Sequence, residues 1–282
     1  MYIMLGAIIG DMMGSPFEYK EFLLSLKKKI DYESRIKRLD TSMDLISKDS
    51  KFTDDTILTI AVLDAIVSNC SYEEKLREYC LRYCDIKNVD KNYFELPFSP
   101  SFISWGKGEK TNNSNGNGSA MRVSPVGYMF NSLDVVLEEA KKSAIPSHNT
   151  DEAIKGAQAV ATSIYLSRKK YDKIYIKKVL NEMFGYNIDF NLEDLQKEYM
   201  FKCNCNDSVP QAIFCFLESC SFEDSIRKSI SIGGDTDTIA CINGSIAEAY
   251  YGVPTHLKNK ALKCLDENLV KVLKRSNYYK IM

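Results

Sequence analysis

Two short acidic stretches, Thr53-Asp54-Asp55-Thr56 and Asp235-Thr236-Asp237-Thr238, place oxygen donors at four consecutive positions each. Both run directly into apolar segments, Ile57 to Val67 and Ile239 to Tyr250, that read as buried helices, so both sets of carboxylates stand at helix starts. Carboxylates gathered near a core take up protons unless a cation pairs with them. Neither stretch contains a Lys or Arg, and the partner this chemistry calls for is a hard divalent metal, Mg²⁺ or Mn²⁺, held between the two helix starts. Ordinary capping by Thr53 and Asp235, with first-turn acids favoured by the helix dipole, explains one acid per helix and leaves a second unexplained.

Three further motifs could serve such a site. Asn115-Gly116-Asn117-Gly118-Ser119-Ala120-Met121-Arg122 ends a long polar loop. Its glycines permit positive φ and close backbone approach, so that successive N–H groups could turn inward around a phosphate, with Arg122 adding positive potential. It lacks the lysine of a nucleotide-binding P-loop and the strand before it. Gly6 to Tyr19 reads as a helix ending at Gly14, with a turn that carries Glu18; Asp11, on its apolar part, is costly to bury without a partner, which points to an inward polar role, either supporting a ligand's contacts from behind or touching substrate. His148 stands just ahead of an apolar helix and reads equally as a helix-entry loop residue.

The elements that must position these residues are helices. Asp54 to Ser68, Tyr72 to Tyr83, Leu133 to Ala144, Asp151 to Ser167, Lys173 to Phe184, Ser208 to Leu217, Phe222 to Ile230, Thr236 to Tyr250 and Leu257 to Leu273 carry helical period or all-round apolarity, many with Ser, Asp or Asn near the start. No alternating segment competes as a strand, and small residues such as Gly156, Ala157, Gly244 and Ala247 point to closely packed helices. The expectation is an all-α, single-domain bundle over residues 1–282, interrupted by long loops at Lys27 to Lys51 and Leu96 to Ser119.

Composition narrows the classes. With 37 Lys+Arg against 38 Asp+Glu, the chain has no basic stripe for nucleic acid or an anionic membrane surface. Met1 to Ile9 is apolar but lacks a positive flank and runs into Gly10-Asp11, which argues against a signal peptide or membrane span and for a cytoplasmic protein, expected to be a monomer. Nine cysteines with only 2 histidines read as reduced core thiols and not as a zinc site.

In combination, these blocks resemble the ADP-ribosylglycohydrolases, the all-α family that includes the dinitrogenase-reductase-activating glycohydrolases, and especially its bacterial branch. The blocks are Gly6 to Glu18, Phe52 to Thr56, Gly116 to Gly127, Ser147 to Ala161, and Ser208-Val209-Pro210-Gln211-Ala212 through Gly233-Gly234-Asp235-Thr236-Asp237-Thr238 to Pro254. They cover nearly the whole chain except the last 25 or so residues. The resemblance implies a binuclear Mg²⁺ or Mn²⁺ centre held by Thr53, Asp54, Asp55, Asp235, Asp237 and Thr238. It implies Glu18 as a mobile acid that gates the site, His148 as a contact to ADP-ribose, and Asn117, Gly118, Ser119 and Met121 around the diphosphate. The family's usual His-x-His/Asp-Pro continuation reads His148-Asn149-Thr150-Asp151 here.

The implied substrate is the ADP-ribose moiety of a modified protein or small molecule. Cleavage at the anomeric carbon passes through an oxocarbenium-like state that needs a positioned water and charge stabilisation. Two divalent ions can bind the ribose hydroxyls and lower the pKa of a water, leaving Glu18, Asp55 and Asp235 as candidate catalytic carboxylates and Asp11 as a substrate contact. An isoprenoid cyclase would need aspartates one helical turn apart, and a histidine-rich phosphohydrolase more than two histidines. A catalytically silent ADP-ribose reader is the remaining alternative.

Overall fold

The computed structural model describes residues 4–85, 97–111 and 113–277. Among them are sixteen helices and no strand: α1 (Leu5–Leu26), α2 (Tyr32–Lys37), α3 (Asp54–Ser68), α4 (Tyr72–Tyr83), α5 (Pro100–Gly106), α6 (Gly118–Met121), α7 (Ser124–Met129), α8 (Leu133–Ala144), α9 (Asp151–Arg168), α10 (Lys173–Phe184), α11 (Leu192–Glu198), α12 (Cys205–Leu217), α13 (Phe222–Ser231), α14 (Thr236–Tyr251), α15 (Thr255–Cys264) and α16 (Glu267–Ser276). No helix among the described residues is long and apolar enough to cross a membrane.

Helix α14 is the axis of the molecule. It is apolar or small on every side, and every residue from Thr236 to Ala249 is buried. Helices α1, α9, α12 and α13 surround it. The tightest of these contacts is written into α1 as Gly6, Gly10 and Gly14, four residues apart on one face. A Cβ on them would stand 2.2 Å from Gly244 O, 1.9 Å from Ala240 O and 2.2 Å from Thr236 O. Glycine therefore lets two backbones touch, and Gly10→Ala would force α1 away from α14.

Gly14 is thus a packing residue, and the expected helix end there is not observed: α1 continues through Pro16 to Leu26. Proline lacks the N–H that would bond Met12 O. The Ser15 hydroxyl donates to that carbonyl instead, at 3.1 Å, and in turn accepts the Lys51 N–H at 3.0 Å. The far half of α1 is fixed by Glu21, whose buried carboxylate pairs with Arg35 and Arg38 at 2.6 Å each. Glu18 consequently rides on a held helix.

The other differences are local. Leu257 to Leu273 is two helices, because the chain breaks at Leu265 and the Asp266 carboxylate then caps α16 by accepting from Asn268 N and Leu269 N. The loop from Lys27 to Lys51 contains α2, and the loop assigned to Leu96 to Ser119 contains α5; Leu96 itself lies outside the described residues. All nine cysteines are free, and Cys203, Cys220 and Cys264 are exposed and not the core residues expected.

Candidate active site

Helix α3 begins at Thr53, whose side chain accepts from Asp55 N at 3.3 Å. Capping therefore accounts for Thr53 and for neither aspartate. At the other helix start the cap explanation fails outright: the Asp235 side chain makes no capping bond to α14. Gly233 and Gly234, at φ 76° and 72°, turn the chain into that start with two successive left-handed residues. Side chains there would also strike Arg35 and Tyr199, each 2.2 Å from the added Cβ.

The two starts meet at one end of a cavity of about 720 Å³. All six residues expected to hold metal, together with Glu18, line it. Thr238 Oγ1 donates across the gap to Asp55 Oδ2 at 3.3 Å. Oxygens of Asp11, Asp55 and Asp237 lie within 4.8 Å of one another, as do those of Glu18, Asp235 and Asp237, so Asp237 joins two groups that could hold metal ions.

Burial raises the proton affinity of Glu18, Asp54, Asp55 and Asp237. Desolvation, with Asp235 and Asp54 adding repulsion, lifts Glu18 to about 8. Desolvation with Asp11 and Asp235 lifts Asp54 to about 8, and Asp55 and Asp237 are pushed well above the carboxylate range by burial and the surrounding acids. Asp55 Oδ1 is buried with no hydrogen-bond partner. An all-oxygen donor set with a buried, unpaired carboxylate oxygen fits a hard cation.

Two expected substrate contacts are placed elsewhere. Asp11 is fully buried behind the cavity wall, accepting from Thr53 N at 2.9 Å, Thr53 Oγ1 at 2.8 Å and Thr56 N at 3.1 Å. These bonds offset desolvation, leave its pKa raised only to about 6 and brace the start of α3, while one Asp11 oxygen stays within 4.8 Å of those of Asp55 and Asp237. Ser119 is also behind the wall, its hydroxyl donating to Ala153 O at 2.8 Å. Asn117, Gly118, Met121 and His148 do line the cavity.

The glycine loop works differently from an anion nest. Neither Gly116 nor Gly118 has positive φ, and the N–H groups of Gly116 and Asn117 are bonded within the protein, to Ser114 Oγ and Cys203 O. Gly118 is required by His148, since a Cβ there would lie 2.8 Å from Nε2. Arg122 is buried against the end of α8 and does not face the cavity. Asn117 instead reaches the acids, its amide donating to Asp235 Oδ2 at 2.7 Å and Ser208 Oγ at 3.0 Å.

The sequence reading missed the apolar part of the cavity lining. Phe98 and Phe102, at the start of α5, supply an apolar face to the cavity together with Phe52 and Leu58. Ser99 ahead of Pro100, a cap followed by proline at the first helical position, is the signal that could have revealed α5. Cys203 was also missed; it lines the cavity beside Asp235.

An all-α fold with acid-bearing helix starts converging on a cavity that could hold metal ions defines a helical enzyme built around a carboxylate centre. The family model for ADP-ribosylglycohydrolase matches residues 2–278, beyond the block ending at Pro254, and the chain belongs to that family of glycosyl hydrolases. It is 26% identical to the ADP-ribosylhydrolase ARH3 of Xenopus tropicalis, with 88% of this chain and 86% of the relative covered. It is 25% identical to ADP-ribosylhydrolase ARH3 of Homo sapiens, with 88% and 84% covered. A solved structure described as an ADP-ribosylglycohydrolase-related protein complex matches the fold with a TM-score of 0.66 at 17% identity, covering 96% of this chain and 94% of that one.

Proposed function

We propose that this chain hydrolyses the glycosidic bond between ADP-ribose and a modified acceptor in a reaction that depends on two divalent cations, Mg²⁺ or Mn²⁺, held by Thr53, Asp54, Asp55, Asp235, Asp237 and Thr238. The observation that carries this reading is the meeting of two acidic helix starts at one end of a cavity whose other walls are the Gly116–Gly118 turn, His148 and the Phe98–Phe102 face. When bound, such cations would neutralise the carboxylates and polarise the ribose hydroxyls.

The protein's own groups divide the remaining work. Phe98 and Phe102 offer apolar surface to a nucleobase, while Asn117, Gly118, Met121 and His148 face the sugar-phosphate part. Among Glu18, Asp55 and Asp235, Glu18 is the best placed for proton transfer. Asp55 Oδ2 already accepts from Thr238, and Asp235 Oδ2 from Asn117. Glu18 comes from a different helix, α1, and lines the cavity beside Asp235 and Asp237, where its carboxyl can protonate a leaving group and then activate water.

Incubation with arginine-linked, serine-linked and polymeric ADP-ribose and with O-acetyl-ADP-ribose, in Mg²⁺ or Mn²⁺, tests the proposal. Release of free ADP-ribose from at least one of these is expected. Tight binding of ADP-ribose with no release from any substrate would contradict hydrolysis and favour a silent reader.

A further inference from the structure

His148 is tied to two buried groups that the proposed reaction does not use. Arg122 is buried just beyond α6, and its Nη2 donates to Ser143 O at 2.8 Å and Ala144 O at 3.4 Å, at the C-terminal end of α8. The same nitrogen donates to Ser147 Oγ at 2.9 Å. A guanidinium has no acceptor, so Ser147 must accept here. The serine's single hydroxyl proton then has one acceptor within reach among the described residues, His148 Nδ1 at 2.8 Å, and donation to it leaves that proton satisfied.

An Nδ1 that accepts a hydrogen bond carries no proton, so the neutral ring carries its proton on Nε2. That nitrogen is on the cavity side, next to Gly118 and Gly116, the latter's added Cβ lying 3.7 Å from it. Burial first, and the charge of Arg122 second, hold the His148 pKa well below its ordinary value, so the ring stays neutral. The opposite tautomer would turn a lone pair toward the cavity and repel an anionic oxygen.

We propose that Ser147, itself oriented by Arg122, is a positioning residue that locks His148 as the Nε2–H tautomer and so presents a fixed, uncharged donor to a phosphate or ribose oxygen of the bound ligand. The ligand assignment rests on the cavity being an ADP-ribose site; the tautomer does not.

The chain has two histidines, so ¹⁵N-histidine labelling of the full-length protein gives one ring signal set for His148 and one for the exposed His256 as an internal reference. Long-range ¹H–¹⁵N spectra at neutral pH should show Nδ1 of His148 unprotonated and Nε2 protonated. Ser147→Ala should release the ring into a mixture of tautomers and weaken ADP-ribose binding about tenfold, the loss of one hydrogen bond of ordinary strength. Ser147→Thr should restore both. A protonated Nδ1 in the wild type, or a Ser147→Ala protein that keeps either the wild-type tautomer or the wild-type affinity, would overturn the proposal. If Ser147→Ala does not fold, the wild-type spectrum and Ser147→Thr still decide it. Failure of the wild type to bind ADP-ribose with the Nε2–H tautomer in place would overturn the reading of the cavity and the donor role with it, whereas the wrong tautomer in a protein that binds overturns the relay alone.

Discussion

Replacing Asp55 by asparagine should stabilise the cation-free protein while abolishing its response to cations. Asp55 is buried, and the oxygens it shares a site with, on Asp11 and Asp237, lie within 4.8 Å. At that distance an ionised Asp55 would meet a like charge at a cost of about 3 kcal/mol at an effective dielectric constant near 20, so without cations the fold must hold a proton on it. The amide keeps the shape and needs no such proton. The gain depends on pH, because Asp55, pushed well above the carboxylate range by burial and then by Asp11, Asp54 and Asp235, keeps its proton in the fold but loses it in the unfolded chain as pH rises from about 4 to 8. The folded state then binds more protons than the unfolded state, so wild-type stability in EDTA falls as pH rises through that window. Thermal unfolding in EDTA should therefore show Asp55→Asn melting about 6 °C or more above wild type at pH 8, from roughly 2 °C per kcal/mol, and much closer to it at pH 5.5. Saturating Mg²⁺ or Mn²⁺ should raise the wild-type midpoint and leave that of the variant nearly unmoved. An Asp55→Asn protein less stable than wild type at pH 8 in EDTA would refute the argument that uncompensated carboxylates strain this site.

Glu18→Gln should leave the melting temperature in cation and the bound-metal count nearly unchanged and lower turnover by at least about a hundredfold, because the amide loses the transferable proton; steady-state kinetics with wild-type turnover would remove Glu18 from the chemistry. Gly118→Val should displace the His148 ring and reduce ADP-ribose affinity by more than about tenfold by calorimetry, since its Cβ would sit 2.8 Å from Nε2; unchanged affinity would take this turn out of the site. Asn117→Ala should remove the 2.7 Å bond to Asp235 and weaken cation binding by roughly tenfold to a hundredfold, read as a shifted cation titration of the melting temperature. A cation midpoint equal to that of wild type would show that Asn117 does not orient Asp235.

The helical frame was legible because its signals are local. Caps such as Ser71 and Asp172 and the apolar run of α14 specify helices without reference to the rest of the fold. The two acidic starts were legible for the same reason, since their donors are adjacent in sequence. What escaped depends on distant partners. The first helix read as ending at Gly14 because the Ser15 hydroxyl that satisfies Met12 O ahead of Pro16, and the α14 backbone that demands glycine at position 14, cannot be seen from the segment itself. Asp11 was understood as an inward polar residue, but its neighbours Thr53 and Thr56 come from another helix. Gly118 looked like a residue chosen for backbone freedom, and its real constraint is the ring of His148, thirty positions away in sequence. The Phe98–Phe102 wall was hidden inside what read as a polar loop.

Cation-dependent release of ADP-ribose is the most direct test of the account. With a linkage identified from the substrate panel, wild-type protein and Asp237→Asn, which removes the carboxylate common to both clusters, are assayed for free ADP-ribose in EDTA and across a titration of Mg²⁺ or Mn²⁺. The account predicts no turnover by wild type in EDTA, recovery as cation is added, and no recovery in a folded Asp237→Asn protein. Full turnover by wild type in excess EDTA, or undiminished turnover by Asp237→Asn, would contradict it.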